Sequence, residues 1–412
     1  MTNKKIKPVY IFSALIVALF IVHFALLVHN PHGAQRHIFF LGGDDLFADF
    51  YNPLRYVSER DPYFDATNGY VYHNYLPFVF MFFYPFSKLD NYAQFSLADC
   101  YESKLGSFSL VFFLILSTAV FSHSLCCLCR RYKTDKIILL PILLSYIVLS
   151  SLERANIILL GSAFLFYFLA FYDSEDKFLR FFAAVSLAII SVSKIYPVIF
   201  GIFYFQKKQF KEIAVAAISA LLLAFLPFLF FKHGFANIPQ LYGIIKEFSH
   251  FKGLFHIQGI IYRLFRFVTH NDALALKIGV VGRHFTVLLS LSAIVLAIFD
   301  KNYFRKISLV NFALLYLPNF SGFYCALYII PLIVYFFSDE KKYSVKDIVF
   351  FLYFILMFMP VQFLFYYTSR AGKNEVLELN PIFINVFSFC GLVLCVIMAL
   401  RAVYISKKGG KE

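Results

Sequence analysis

Three carboxylates crowd into one short stretch, Gly42-Gly43-Asp44-Asp45-Leu46-Phe47-Ala48-Asp49-Phe50. A carboxylate within reach of a hydroxyl can take its proton as the oxygen forms a new bond, which makes Asp45 and Asp49 candidate general bases. Helical backbone would put these two, four residues apart, on one face. A turn would instead leave Asn52 as an N-cap with Pro53 at the first helical position, and Asp45 would then be a capping or solvated residue. Three clustered carboxylates could also hold a divalent cation, but no ligand set is spelled out and no other cofactor is implied. A second polar stretch, Ser151-Leu152-Glu153-Arg154-Ala155-Asn156, lies between apolar runs. Glu153 and Arg154 read either as a loop ion pair or as a guanidinium fork offered to phosphate oxygens. Lys194, in Ser193-Lys194-Ile195-Tyr196-Pro197, interrupts a third apolar region. A lysine there either snorkels to the interface or faces a cavity or partner. His29, His32 and His37, and the pair Cys126 and Cys129, have spacings that raise a metal site. They stand at span ends without further ligands, and read as interfacial and packing residues.

The elements that must hold these residues are membrane spans. Of the 412 residues, 60% are hydrophobic and 15% charged, and mean hydropathy is +0.72. Soluble domains are nearer half apolar and a quarter charged. Apolar runs at 9–29, 106–126, 136–151, 155–172, 179–193, 195–206, 212–231, 284–299, 306–318, 322–337, 346–368 and 381–403 predict an all-α membrane protein of about 11–12 transmembrane helices. No linker, low-complexity tract or clear repeat divides it, so residues 1–412 read as one polytopic domain. The first run is long for a cleaved signal and lacks a small-x-small site, as an uncleaved anchor would. If it runs from inside to outside, the cytoplasmic side receives 22 of the 38 basic residues and 10 of the 24 acidic ones. Positive charge retained inside is the normal bias of an inserted protein. The formal charge of +14 is then topological and implies no nucleic-acid partner. Both termini are expected in the cytoplasm, in a multi-pass plasma membrane of the bacterial inner type.

Runs 179–193 and 195–206 are short for complete spans and meet at Lys194. Fusing them would turn Lys207 and Lys208 outward, so two broken elements are expected, with non-helical backbone covered by protein or a watery cavity. Two outer loops are long, 30–105 and 232–283. Each holds an apolar patch too short to span, 78–86 in the first and 260–267 in the second, expected as interfacial or re-entrant helices in contact with lipid.

Asp45, Pro62-Tyr63 seventeen residues on, and Tyr75-Leu76-Pro77 with its apolar run to Pro85 resemble the first outer loop of glycosyltransferase family 87. The resemblance continues through Arg154-Ala155-Asn156 and Lys194-Ile195-Tyr196-Pro197, and more loosely through His256-Ile257-Gln258-Gly259 and Pro318-Asn319-Phe320-Ser321-Gly322-Phe323-Tyr324. It implies a GT-C-like helical bundle whose large extracytoplasmic first loop carries short interfacial helices. It further implies transfer of a mannose-like hexose from a polyprenyl-phosphate-linked sugar to a hydroxyl of a glycan or glycolipid acceptor, with inversion. By the same resemblance Asp45 is the base. Asp49 is the contender, because Asp49-Phe50 is similar to the same motif displaced by four. Arg154, Lys194 and Arg263 would bind the donor phosphate, while Asp44, Tyr75, Asn156, Gln258 and Tyr324 would meet sugar or acceptor. A phosphate monoester leaves readily, so no strong general acid is required. Glu153-Arg154-Ala155 replaces the family's Gly-Gln, and the late turn lacks its His or Trp, departures that bear on which sugar is moved.

Two other readings compete. A lipid or polysaccharide transporter calls for paired repeats and ionisable groups at mid-membrane, where Lys194 is the main candidate. A surface-polysaccharide polymerase would depend on arginines in later loops and be indifferent to Asp45.

Overall fold

The computed structural model describes residues 7–29, 46–64, 75–248, 257–318, 323–341, 343–345, 347–360, 364–368 and 374–408. Five helices in it are long and apolar enough to cross a bilayer: Pro8–His29, Lys104–Tyr132, Phe210–Leu229, Asp272–Phe299 and Ile382–Ile405. Lys136–Leu143 and Tyr146–Glu153 would make a sixth, bent by 51°, over the apolar run 136–151. Pro141 has no N–H to offer the helix, and the Ser145 hydroxyl donates to the Ile142 carbonyl (2.6 Å) just ahead of the second piece. Shorter apolar helices at Pro77–Ser87, Ile158–Phe171, Tyr196–Gln206, Tyr324–Phe336 and Asp347–Phe358 occupy other apolar runs. The chain is an all-α, multi-pass membrane protein.

Two expected boundaries move. The Asp272–Phe299 helix starts well before 284 because the Asn271 side chain accepts from Leu274 N–H (3.0 Å) and caps it there. The expected span 346–368 ends as a helix at Phe358, two residues before Pro360, since a residue ahead of proline avoids helical backbone. Leu364–Thr368 instead pairs antiparallel with Asn374–Glu378.

By its contacts the chain forms two compact units. One comprises Met1–Leu41, Cys129–Ser150 and Lys252–Glu412. In it the amphipathic Ile257–Thr269 helix lies along Asp272–Phe299, close enough that a Cβ on Gly279 would meet the Gln258 carbonyl at 2.9 Å. The Arg283 guanidinium donates to the carbonyls of Tyr316 and Leu317, satisfying the last turn of the Tyr303–Tyr316 helix.

The other unit comprises Gly42–Leu128 and Ser151–Phe251. Its core is aromatic: the ring of Phe50, on the Ala48–Val57 helix, meets Phe83 at 5.7 Å, Phe86 at 6.0 Å and Phe113 at 5.2 Å. The first two pairs are edge-on and the third is tilted by 32°, and aromatic pairs of this kind add about 0.5–1.5 kcal/mol each to simple burial. Phe83 is fully buried. Phe83→Ala should therefore cost about 3 kcal/mol through lost packing and an unfilled cavity, read as a lowered thermal midpoint in detergent. A capping box closes the same region: Asp99 N–H donates to Ser96 Oγ, and Ser96 N–H to Asp99 Oδ2.

Candidate functional site

Asp49 sits in the first turn of the Ala48–Val57 helix. That helix begins earlier than Asn52-Pro53 would suggest, because the chain ahead of it is already held. Phe47 adopts a left-handed conformation (φ 54°), and its N–H donates to the Glu153 carbonyl at 2.9 Å. The Tyr101 hydroxyl donates to the Leu46 carbonyl at 2.5 Å. These bonds bring the start of the helix beside the turn at 153–156.

The turn has a local cause. Asn156 N–H donates to the Ser151 carbonyl (3.0 Å) and Ala155 N–H to the Leu152 carbonyl (2.9 Å), the paired bonds that finish a helix through one left-handed residue. Ala155 is that residue, with φ 49°, where glycine would be unstrained. Arg154 and Asn156 flank it. Arg154 donates from Nε to Asp49 Oδ2 (2.7 Å) and from Nη2 to Asp49 Oδ1 (2.9 Å). Asn156 Nδ2 donates to the same Oδ2 at 2.7 Å, while its Oδ1 accepts from Ile158 N–H (2.9 Å) at the head of the Ile158–Phe171 helix. One buried amide thus caps a helix and holds a carboxylate. Arg154 and Asp49 form a two-pronged ion pair, the two side chains only 26% and 18% exposed.

Lys194 enters from a third segment. The Lys177–Ser193 helix stops at Lys194, whose backbone is extended, and a tight helix Tyr196–Gly201 follows with Pro197 in its first turn. The break therefore falls where the short apolar runs placed it. Gly161 lets the Ile158–Phe171 helix approach this region, since a Cβ there would meet Ile190 Cδ1 at 2.8 Å. Lys194 Nζ lies over the Tyr75 ring, 4.7 Å from its centroid, in cation–π geometry. Tyr75 is buried, and its hydroxyl is raised well above the ordinary tyrosine value by burial first and by the Asp49 charge second; Arg154 and a side-chain hydrogen bond with Asn156 act against this. Its hydroxyl stays neutral at physiological pH and serves as a hydrogen-bonding group.

Asp49, Tyr75, Arg154, Asn156 and Lys194, which the sequence singled out separately, are thus gathered in one unit. Asp44 and Asp45 lie outside the described residues. Gln258, Arg263 and Tyr324 belong to the other unit: Gln258 and Arg263 on the Ile257–Thr269 helix, Tyr324 in the tight helix Phe323–Ile329. Tyr56, unremarked in the sequence, is close enough to influence the Tyr75 hydroxyl. Its signal was the seven-residue spacing from Asp49, two turns along one helix face. Among the described residues no three His, Cys, Asp or Glu side chains come together as metal ligands.

Fold and site define a multi-pass helical membrane protein that brings a carboxylate, an amide, a phenol and two cations together from separate segments. The sequence pattern of glycosyltransferase family 87 matches residues 72–318, more than half of the chain, and the chain belongs to that family. It is a membrane glycosyltransferase, acting between a sugar donor and an acceptor. The matched span takes in Tyr75, Arg154, Asn156, Lys194, Gln258 and Arg263, begins after the three carboxylates, and ends before Tyr324. No curated protein and no solved structure matches the chain.

Proposed function

We propose that the protein moves a hexose, mannose-like, from a polyprenyl-phosphate donor to a hydroxyl of a glycan or glycolipid acceptor, on the extracytoplasmic side and with inversion. The observation that carries this reading is the convergence of Arg154 and Lys194 around Tyr75. With Asp49 paired to Arg154, the named side chains of the cluster carry one net positive charge, which favours an anion beside them. Charge grows on the donor phosphate as the sugar leaves, and donors held in place beforehand stabilise it without reorganising. Asp49 holds the Arg154 fork in a fixed orientation. Both Asp49 oxygens already accept hydrogen bonds from Arg154 and Asn156. That arrangement supports a positioning role for Asp49 and leaves the base to Asp45. Arg263 would join the phosphate contacts, and Asp44, Gln258 and Tyr324 the sugar or acceptor. The aromatic helix Pro77–Ser87 would border the path of the prenyl chain.

The test is transfer by purified wild-type protein from synthetic polyprenyl-phosphate mannose and glucose to membrane glycolipids. The anomeric configuration of the product would be read by NMR. An inverted glycoside supports the proposal. Transfer only from a nucleotide sugar, or a retained anomer, would refute it.

A further inference from the structure

The Lys194–Tyr75 contact depends on a residue outside the cluster, Tyr63, which the family pattern marks by its spacing from Asp45 but to which the sequence gives no role. Tyr63 is buried and donates from its hydroxyl to the Tyr75 carbonyl at 2.7 Å. Its ring packs edge-on against Phe80 (5.4 Å) and Phe231 (6.1 Å), and Phe80 in turn meets the Tyr75 ring at 6.3 Å. The strand of chain carrying Tyr63 is fastened on both sides. Lys232 N–H donates to the Arg60 carbonyl (2.8 Å), His233 pairs with Asp61 (2.5 Å), and the Phe64 ring lies 4.2 Å from the His233 ring. Tyr63 is therefore rigidly mounted, and its one polar atom is spent on the residue that faces Lys194. The Tyr75 carbonyl precedes the first helical bond of Pro77–Ser87, which the Leu76 carbonyl accepts from Val79 N–H, so the Tyr63 hydroxyl sets where Tyr75 sits.

We propose that Tyr63 is a positioning residue for donor binding: through the Tyr75 carbonyl it fixes the ring that aims the Lys194 ammonium at the donor phosphate. This rests on the reading of Lys194 as a phosphate ligand. Removing the hydroxyl leaves a buried carbonyl unsatisfied while the ring packing stays, a loss of one hydrogen bond. Tyr63→Phe should raise the donor KM, and the Kd for citronellyl phosphate, by about fivefold, with kcat within twofold of wild type.

The decisive experiment is a double-mutant cycle on the full-length protein with Tyr63→Phe, Lys194→Gln and the double variant, reading Kd for citronellyl phosphate by calorimetry. If Tyr63 acts through Lys194, the double variant binds no more weakly than Lys194→Gln alone. Ser96→Ala, which loses the capping box of the same unit, should lower thermal stability yet leave that Kd unchanged. Equal penalties for Tyr63→Phe in both backgrounds would overturn the proposal, as would a Tyr63→Phe Kd equal to wild type. If wild type itself fails to bind citronellyl phosphate, the phosphate-ligand reading falls and takes this inference with it. If wild type binds and the penalties add, only the role of Tyr63 is lost.

Discussion

Asp45→Asn protein should fold, bind donor, and transfer sugar about 10²–10⁴-fold more slowly than wild type, the span that a positioned base contributes. The expectation comes from the spacing of Asp45 to Pro62-Tyr63 and from the chain that immediately follows it. Leu46 and Phe47 are both pinned by hydrogen bonds, the second of them to Glu153, one residue from Arg154. Asp49→Asn provides the contrast. It would weaken the grip on Arg154 while leaving a proton acceptor elsewhere, so transfer should fall by only about tenfold, the effect of roughly one hydrogen bond to a charged group. Initial rates with a saturating donor, measured for both variants, decide between them. If Asp45→Asn keeps at least a tenth of wild-type activity while Asp49→Asn loses a thousandfold, the two roles are reversed.

Arg154→Met should be the most damaging single change in stability and activity together. It leaves the Asp49 carboxylate, only 18% exposed, facing an apolar side chain. A fully buried ion pair broken this way costs about 3–5 kcal/mol. Partial exposure and the remaining Asn156 bond reduce this to about 2 kcal/mol. Transfer should fall by about 10²–10³-fold, as when one preorganised donor to developing charge is removed. Adding Asp49→Asn removes the stranded charge and should restore about half of the lost stability. It should restore none of the transfer if, as proposed, the guanidinium is a donor-phosphate contact. Thermal midpoints and turnover measured side by side test this. Recovery of activity along with stability would make Arg154 a structural residue and nothing more.

How legible was this in the sequence? Lys194 was, because two short apolar runs with Pro197 three residues on leave little choice but a break there. Arg154 and Asn156 were legible as polar residues in a turn, and Tyr75 through its place in the family pattern. The partner of Arg154 was not. Asp49 is 105 residues away along the chain, and only the folded turn brings the two together. That turn needs a left-handed Ala155, at a position where sequence rules look for glycine. The bend within 136–151 was written in Pro141 and Ser145 but hidden by the apolar run around them. The early start of the Asp272–Phe299 helix was hidden in the opposite way, since Lys277, Arg283 and His284 interrupt its first turns and make it read as loop.

The distance between Asp49 and Arg154 along the chain also sets an order of events during synthesis. At about 5–20 residues per second, Arg154 follows Asp49 off the ribosome by about 5–20 s, and Lys194 later still. For that interval the Asp49 carboxylate has neither its guanidinium nor its amide. The Asp49–Arg154 pair therefore cannot close until the chain through Arg154 has emerged, and the contact of Lys194 with Tyr75 follows later. The Ser151–Asn156 turn is thus the point at which the Ala48–Val57 helix gains its charge partner, well after that helix has itself emerged.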